Sequence, residues 1–175
     1  MKKLLIFLMA LVTLAVTTPA FAASPRSAFE AQQRRNRCIM ELPLFERAVL
    51  IIKKFETLHQ LKHRPYYGYG HRILPGEHFP QHRALTESEA DALLRKDLNK
   101  FCALYSQYGK DSVLLGALAY NIGPGAVNKS SVIKKLKSGD RNIFKSYTSH
   151  CHYKGKWHRG LYNRRLTELA ALYVP

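Results

Sequence analysis

Acidic side chains are scarce in this chain of 175 residues: 12 Asp and Glu stand against 28 Lys and Arg, for a formal charge of +16. So strong an excess points to a polyanionic partner, whether nucleic acid, an anionic membrane surface or an acidic cell-wall polymer. Aspartate is absent until Asp91, so chemistry in the first half of the chain has only glutamates to work with. Cysteine is sparse too. Cys38, Cys102 and Cys151 lie 64 and 49 residues apart, with no Cys-x-x-Cys and no compact zinc spacing. They allow one disulfide in three ways with a thiol left over, or three small buried apolar groups. Internal repeats and low-complexity stretches are missing. What is present is apolar: 46% hydrophobic and 11% aromatic residues exclude a disordered basic tail. The length fits one domain able to bury a core without disulfides.

The first residues bear on the compartment. Lys2-Lys3 is a short positive start, Leu4 to Val16 is nearly unbroken apolar sequence, and Ala20-Phe21-Ala22 offers small residues for cleavage. This is the pattern of a secretory signal peptide over residues 1–22. The apolar stretch is borderline for a membrane span, and Thr13, Thr17, Thr18 and Pro19 weigh against one. Removing 22 residues leaves 153, and the loss of Lys2 and Lys3 leaves a charge of +14. An exported basic protein is expected to meet wall material or lipid head groups, and no nucleic acid. Its cysteines would sit in an oxidising space.

Residues 23–42 form a basic lead-in containing Arg34, Arg35 and Arg37. Beyond Pro43, apolar residues at Leu44, Phe45, Ala48, Val49, Ile52 and Phe55 predict a helix with Glu56 near its end. Gly68, Gly70 and Pro75-Gly76 among aromatics predict short strands between Tyr66 and Phe79. Thr86-x-x-Glu89 is a capping box opening a long helix with a stripe of Ala90, Leu93, Leu94, Leu98, Phe101 and Tyr105. Asp111 is placed to cap an apolar helix over Val113–Tyr120, which should be the core element. Helices are expected over Ser131–Lys137 and Ile143–Tyr147, then a polar loop over Ser149–Trp157 and a closing amphipathic helix over Leu161–Tyr173. The fold class is mainly α, with one small β element.

Most carboxylates have structural explanations. Glu87, Glu89 and Asp91 fill a first helical turn, where the dipole favours them. Glu56 differs: it ends an apolar helix and precedes the basic, aromatic stretch His59–Tyr67. A carboxyl there is a candidate general acid.

Several motifs, in order, resemble the phage-type lysozymes, the endolysin family that cleaves peptidoglycan glycan strands. They are Phe55-Glu56, Gly68-Tyr69-Gly70-His71, Thr86-Glu87-x-Glu89-Ala90 with Leu93-Leu94 and Asp97-Leu98, and Ala119-Tyr120-Asn121-Ile122-Gly123. Ser130-Ser131-x-Ile133 with Lys137-Ser138-Gly139-Asp140 follows, and then Gly160-Leu161-x-x-Arg164-Arg165-x-x-Glu168. The resemblance implies an α+β lysozyme-like domain over 43–175, a helical body with a small β-hairpin subdomain beside the cleft. It implies Glu56 as catalytic acid of a muramidase, His71 and Asp97 as a buried ion pair, and peptidoglycan glycan strands as substrate. His63, Tyr66, Tyr67, Asn121 and Arg165 are the candidate substrate-binding or supporting residues. No cofactor and no metal are expected, and the chain should act as a monomer in transient contact with a wall or membrane surface.

The sequence departs from that family at one place. A catalytic Asp about nine residues after the Glu, and a Thr two before Gly-Tyr-Gly-His, are replaced by Pro65 and Tyr66. The interval from Glu56 to His71 is about five residues shorter than is usual, and the next carboxylate is Glu77. Three readings follow. Glu56 acts with a water held by His59, His63 or a tyrosine; or Glu56 acts alone as in a lytic transglycosylase; or the domain only binds wall glycan.

Overall fold

The computed structural model describes residues 39–175. The signal-peptide pattern, nearly all of the basic lead-in and Cys38 lie outside the described residues. Pro43, whose fixed φ suits a helix entrance, precedes α1 (Leu44–Glu56). This helix buries Ala48, Val49, Ile51 and Ile52 along one face. It stops at Thr57, where φ is +57° and ψ 165°, a region costly for a β-branched residue, by about 1–3 kcal/mol. The chain therefore turns away directly after Glu56 and leaves its carboxyl at the helix mouth.

Strands β1 (Tyr66–Tyr67) and β2 (His71–Arg72) form an antiparallel hairpin with Tyr66 opposite Arg72 and Tyr67 opposite His71. Alternation puts Tyr67 and His71 inside and Tyr66 and Arg72 outside. The expected capping box is present: the Thr86 side chain accepts from the Glu89 backbone N–H, and Glu89 accepts from that of Thr86 at 2.8 Å. It opens α2 (Glu87–Leu104), which buries Ala90, Leu94, Asp97 and Leu98. Tyr105 is buried but lies one residue beyond the helix.

Helix α3 (Ser112–Ile122) is the core element that its composition predicts, with every residue from Leu114 to Ala119 buried. It lies close along α2. Gly116 permits that approach, since a Cβ there would fall 2.6 Å from Cys102 Sγ and 3.0 Å from the Cys102 backbone nitrogen. Asp111 does not cap α3. Its carboxylate is taken instead by Arg141, whose guanidinium forks onto both oxygens. Helices α4 (Pro124–Lys129), α5 (Ser131–Lys137) and α6 (Phe144–Thr148) add Val127, Val132, Ile133 and Tyr147 to the core.

The segment Ser149–Trp157, expected as a loop, contains a second hairpin, β3 (His152–Tyr153) with β4 (Lys156–Trp157). Positive φ at both Lys154 and Gly155 makes the tight two-residue turn that matches strand twist. Helix α7 begins earlier than expected, spanning Arg159–Leu172, and packs against α1 and α3. It is not a simple amphipathic helix: Arg164, Arg165 and Glu168 are among its buried residues. Cys102 and Cys151 are free thiols. Among the described residues no helix is long and apolar enough to cross a membrane.

Candidate active site

A cleft of about 890 Å³ opens between the first hairpin and the facing parts of α2 and α3. Glu56 and His59 stand in its wall with Tyr66, Gly70 and Arg72 on the hairpin side and Lys100, Phe101, Tyr120 and Asn121 opposite. Gly70 has φ +97°, and a Cβ on it would lie 3.4 Å from Glu56 Oε2. The glycine thus provides both the turn and the room for the carboxylate.

A closed ring of polar contacts holds Glu56. Its Oε1 accepts from Arg164 Nη1 and from Asn121 Nδ2, the latter at 3.4 Å. Asn121 Oδ1 accepts from Arg165 Nη2 at 2.6 Å, which fixes the direction of the amide. Arg165 Nη1 lies 2.8 Å from Glu168 Oε2, and Arg164 Nε donates to Glu168 Oε1 at 2.9 Å. Tyr147 adds its hydroxyl to Glu168 Oε2 at 2.8 Å. Burial pushes the Tyr147 phenol well above its ordinary pKa, so it remains a donor. Two guanidinium groups therefore face two carboxylates in a space where Arg165 and Glu168 are 0% exposed. Burial alone would lower the Arg164 pKa, but Glu168 and Glu56 more than reverse this. Its positive charge is permanent.

On the other side of the cleft, His71 Nδ1 meets Asp97 Oδ2 at 2.6 Å. This is the expected pair, and a third member joins it: His71 Nε2 lies 2.7 Å from Glu77 Oε2. Glu77 also accepts from the Leu74 backbone N–H at 2.9 Å. Asp97 first, then Glu77, holds the imidazole pKa above its ordinary value. In the protonated ring both nitrogens donate, one to each carboxylate.

The candidate binding residues divide. Tyr66 is exposed and lines the cleft, while Tyr67 is buried and stacks on Phe79 at 4.6 Å. Tyr67 is core, because its place in the strand points it inward. His63 is not among the cleft-lining residues. Its Nδ1 accepts from the Gln60 backbone N–H at 2.9 Å and so caps a short 3-10 turn, Leu61–His63. Asn121 lines the cleft with both ends of its amide engaged, which makes it a holder of Glu56. Arg165 is fully buried and touches Asn121 and Glu168, and the arginine that reaches Glu56 is Arg164. Residues not foreseen are Arg164, Glu77, and the exposed cations Arg72 and Lys100 in the cleft wall. Among the lining residues the carboxylates are Glu56 and Asp97, and Asp97 is engaged by His71. Among the described residues no group of three His, Cys, Asp or Glu could hold a metal ion.

A glutamate at a helix end beside a hairpin, at an open cleft in a mainly α body, is a lysozyme-like arrangement, and the family match makes the chain a glycosidase that acts on peptidoglycan. The chain belongs to the phage lysozyme family, whose model matches residues 54–168. Among solved structures it is similar to the endolysin from Escherichia coli O157:H7 phage FAHEc1, at 25% identity and a TM-score of 0.62. That match covers 75% of this chain and 93% of the endolysin. It also shares its fold with the muramidase domain of SpmX from Asticaccaulis excentricus, at 24% identity and a TM-score of 0.61. There 73% of this chain and 95% of that domain are covered. No curated protein is significantly similar to the chain.

Proposed function

We propose that the protein is an exported muramidase that cuts the glycan strand between N-acetylmuramic acid and N-acetylglucosamine, with Glu56 as general acid. The observation that carries this is the placement of Glu56: its Oε1 is held by Arg164 and Asn121, and its other oxygen lies beside Gly70 at the cleft wall. Protonated, Glu56 delivers its proton to the leaving glycosidic oxygen, a contribution of about 10²–10⁴-fold in rate. Once it has given up that proton, Glu56 and Glu168 set two negative charges against Arg164 and Arg165. Tyr66 offers a ring for a sugar face, and Arg72 and Lys100 suit the lactyl and peptide carboxylates of the polymer. Export rests on the Lys2-Lys3 start, the apolar run and the Ala20-Phe21-Ala22 cleavage pattern.

One observation favours a second reading. Glu56 has no free carboxylate partner among the cleft-lining residues, and a lytic transglycosylase needs only one. Either way Glu56 is indispensable. Glu56→Gln should abolish release of soluble fragments from purified peptidoglycan. The variant should stay folded, since Gln still accepts from Arg164, though less stable because Arg164 loses a carboxylate. Near-normal release by the variant contradicts the assignment.

A further inference from the structure

If the bond is cut by water, some group must take the proton of that water. The cleft wall leaves few choices. Asp97 is bonded to His71, which is also bonded to Glu77. The Tyr120 hydroxyl donates to the Tyr69 carbonyl at 2.9 Å, and burial pushes its pKa up. Arg72 and Lys100 are cations. Tyr66 and His59 remain, and of a phenol hydroxyl and an imidazole nitrogen the imidazole is the far stronger base; His59 lies three residues beyond Glu56.

Its placement is fixed by the backbone. The His59 N–H donates to the Gly68 carbonyl at 2.8 Å, which ties the residue to the turn of the first hairpin. Tyr66 meets its ring edge-on with centroids 6.2 Å apart, and the His63 ring lies at 4.9 Å. His59 Nδ1 is buried and has no hydrogen-bond partner, so the edge of the ring that lines the cleft is the other one, carrying Nε2. A buried polar atom left unmatched is uncommon and asks for a reason. His63, by contrast, has its Nδ1 occupied by Gln60. The titratable and charged groups around His59 are Glu56 and His63 on its own stretch, Arg64, Tyr66 and Tyr67 at the hairpin, and Arg83 before α2. Burial first, then His63, lowers its pKa below 6.5, against the pull of Glu56. The neutral ring that this shift favours has a lone pair to offer.

We infer that His59 is the base that replaces the missing carboxylate of this cleft, accepting a proton from the water that attacks the anomeric carbon. This rests on Glu56 as the acid. The water oxygen bonds to the anomeric carbon and one of its protons passes to His59. The bond to the leaving oxygen breaks with its electron pair, and that oxygen takes the Glu56 proton. His59 then loses its proton to solvent and Glu56 regains one, which closes the cycle.

The test is the pH–rate profile of peptidoglycan hydrolysis for the wild type, His59→Gln and His59→Asp, with melting curves for each. The wild-type rate should fall as pH drops through a value below 6.5, where His59 becomes charged. His59→Gln should lower kcat by about 10²-fold or more with KM little changed, and should lose that acid limb. His59→Asp should regain part of the rate and move the limb to lower pH, as a carboxylate base would. A His59→Gln enzyme with wild-type kcat and an unchanged acid limb overturns the inference. So does a wild type that releases only 1,6-anhydro ends, an outcome that leaves Glu56 as acid intact. An active Glu56→Gln enzyme would instead remove the reading on which the inference stands.

Discussion

Two ionic clusters flank the cleft, and they are built from different chemistry. The one behind Glu56 uses two arginines, Asn121 and Glu168, with Arg165 and Glu168 wholly out of solvent. The one under the hairpin turns on a single histidine between Asp97 and Glu77, and Glu77 retains 24% exposure. Guanidinium stays charged at any pH at which a protein survives, whereas imidazole titrates near neutrality. The difference teaches where pH can act: the Glu56 carboxylate is held by a fixed electrostatic frame, and the hairpin beside it is held by one that can be titrated.

The sharpest way to break the comparison is to open the arginine cluster. Arg165→Met leaves Glu168 with one cation fewer and Asn121 Oδ1 without a donor, and should cost about 3–5 kcal/mol in denaturant unfolding. The same substitution should impair catalysis as well, because Asn121 would no longer be held towards Glu56. His71→Gln should cost less, toward the lower end at about 3 kcal/mol, because Glu77 can turn to water.

The pH dependence separates the clusters with no substitution needed. The His71 pKa is raised in the folded protein, first by Asp97 and then by Glu77, so its stabilisation is fully present below pH 6.5. It is lost as pH climbs through the raised value. His59 has the opposite sign: its pKa is lowered, so folding stability declines as pH falls below 6.5 toward that value. Melting temperature measured across neutrality should therefore decline on the alkaline side in the wild type and much less in His71→Gln. A decline of equal size in both would assign it to another group. The smallest effect is expected away from both clusters. Thr86→Ala removes the α2 cap and should cost about 1 kcal/mol by denaturant unfolding, with catalysis unchanged.

Local signals carried the fold well. The Thr86–Glu89 box, the apolar run of α3 and the Pro43 entrance are readable because each depends on residues within one or two turns. Asp111 was less readable: a residue suited to cap α3 is claimed by Arg141, 30 positions away. Of the site, the His71–Asp97 pair was legible through the family motif, and Glu56 was legible as a residue of the cleft wall. It was not legible where two adjacent residues compete for one role. Arg164 and Arg165 stand four and three residues before Glu168 and both pair with it, so spacing cannot say which one turns to Glu56. Tyr66 and Tyr67 pose the same problem in a strand, where one must face inward and composition is silent on which. Glu77 joins His71 only because the turn at Pro75-Gly76 folds back, and the turn signal there was the available clue.

The central claim, that this cleft directs water onto the muramic acid side of the glycan, is tested most directly by digesting purified peptidoglycan in heavy-oxygen water and weighing the muropeptides released. The account predicts one heavy oxygen at the reducing carbon of N-acetylmuramic acid, and no product from Glu56→Gln. Label on N-acetylglucosamine instead, or unlabelled 1,6-anhydro ends, would contradict it.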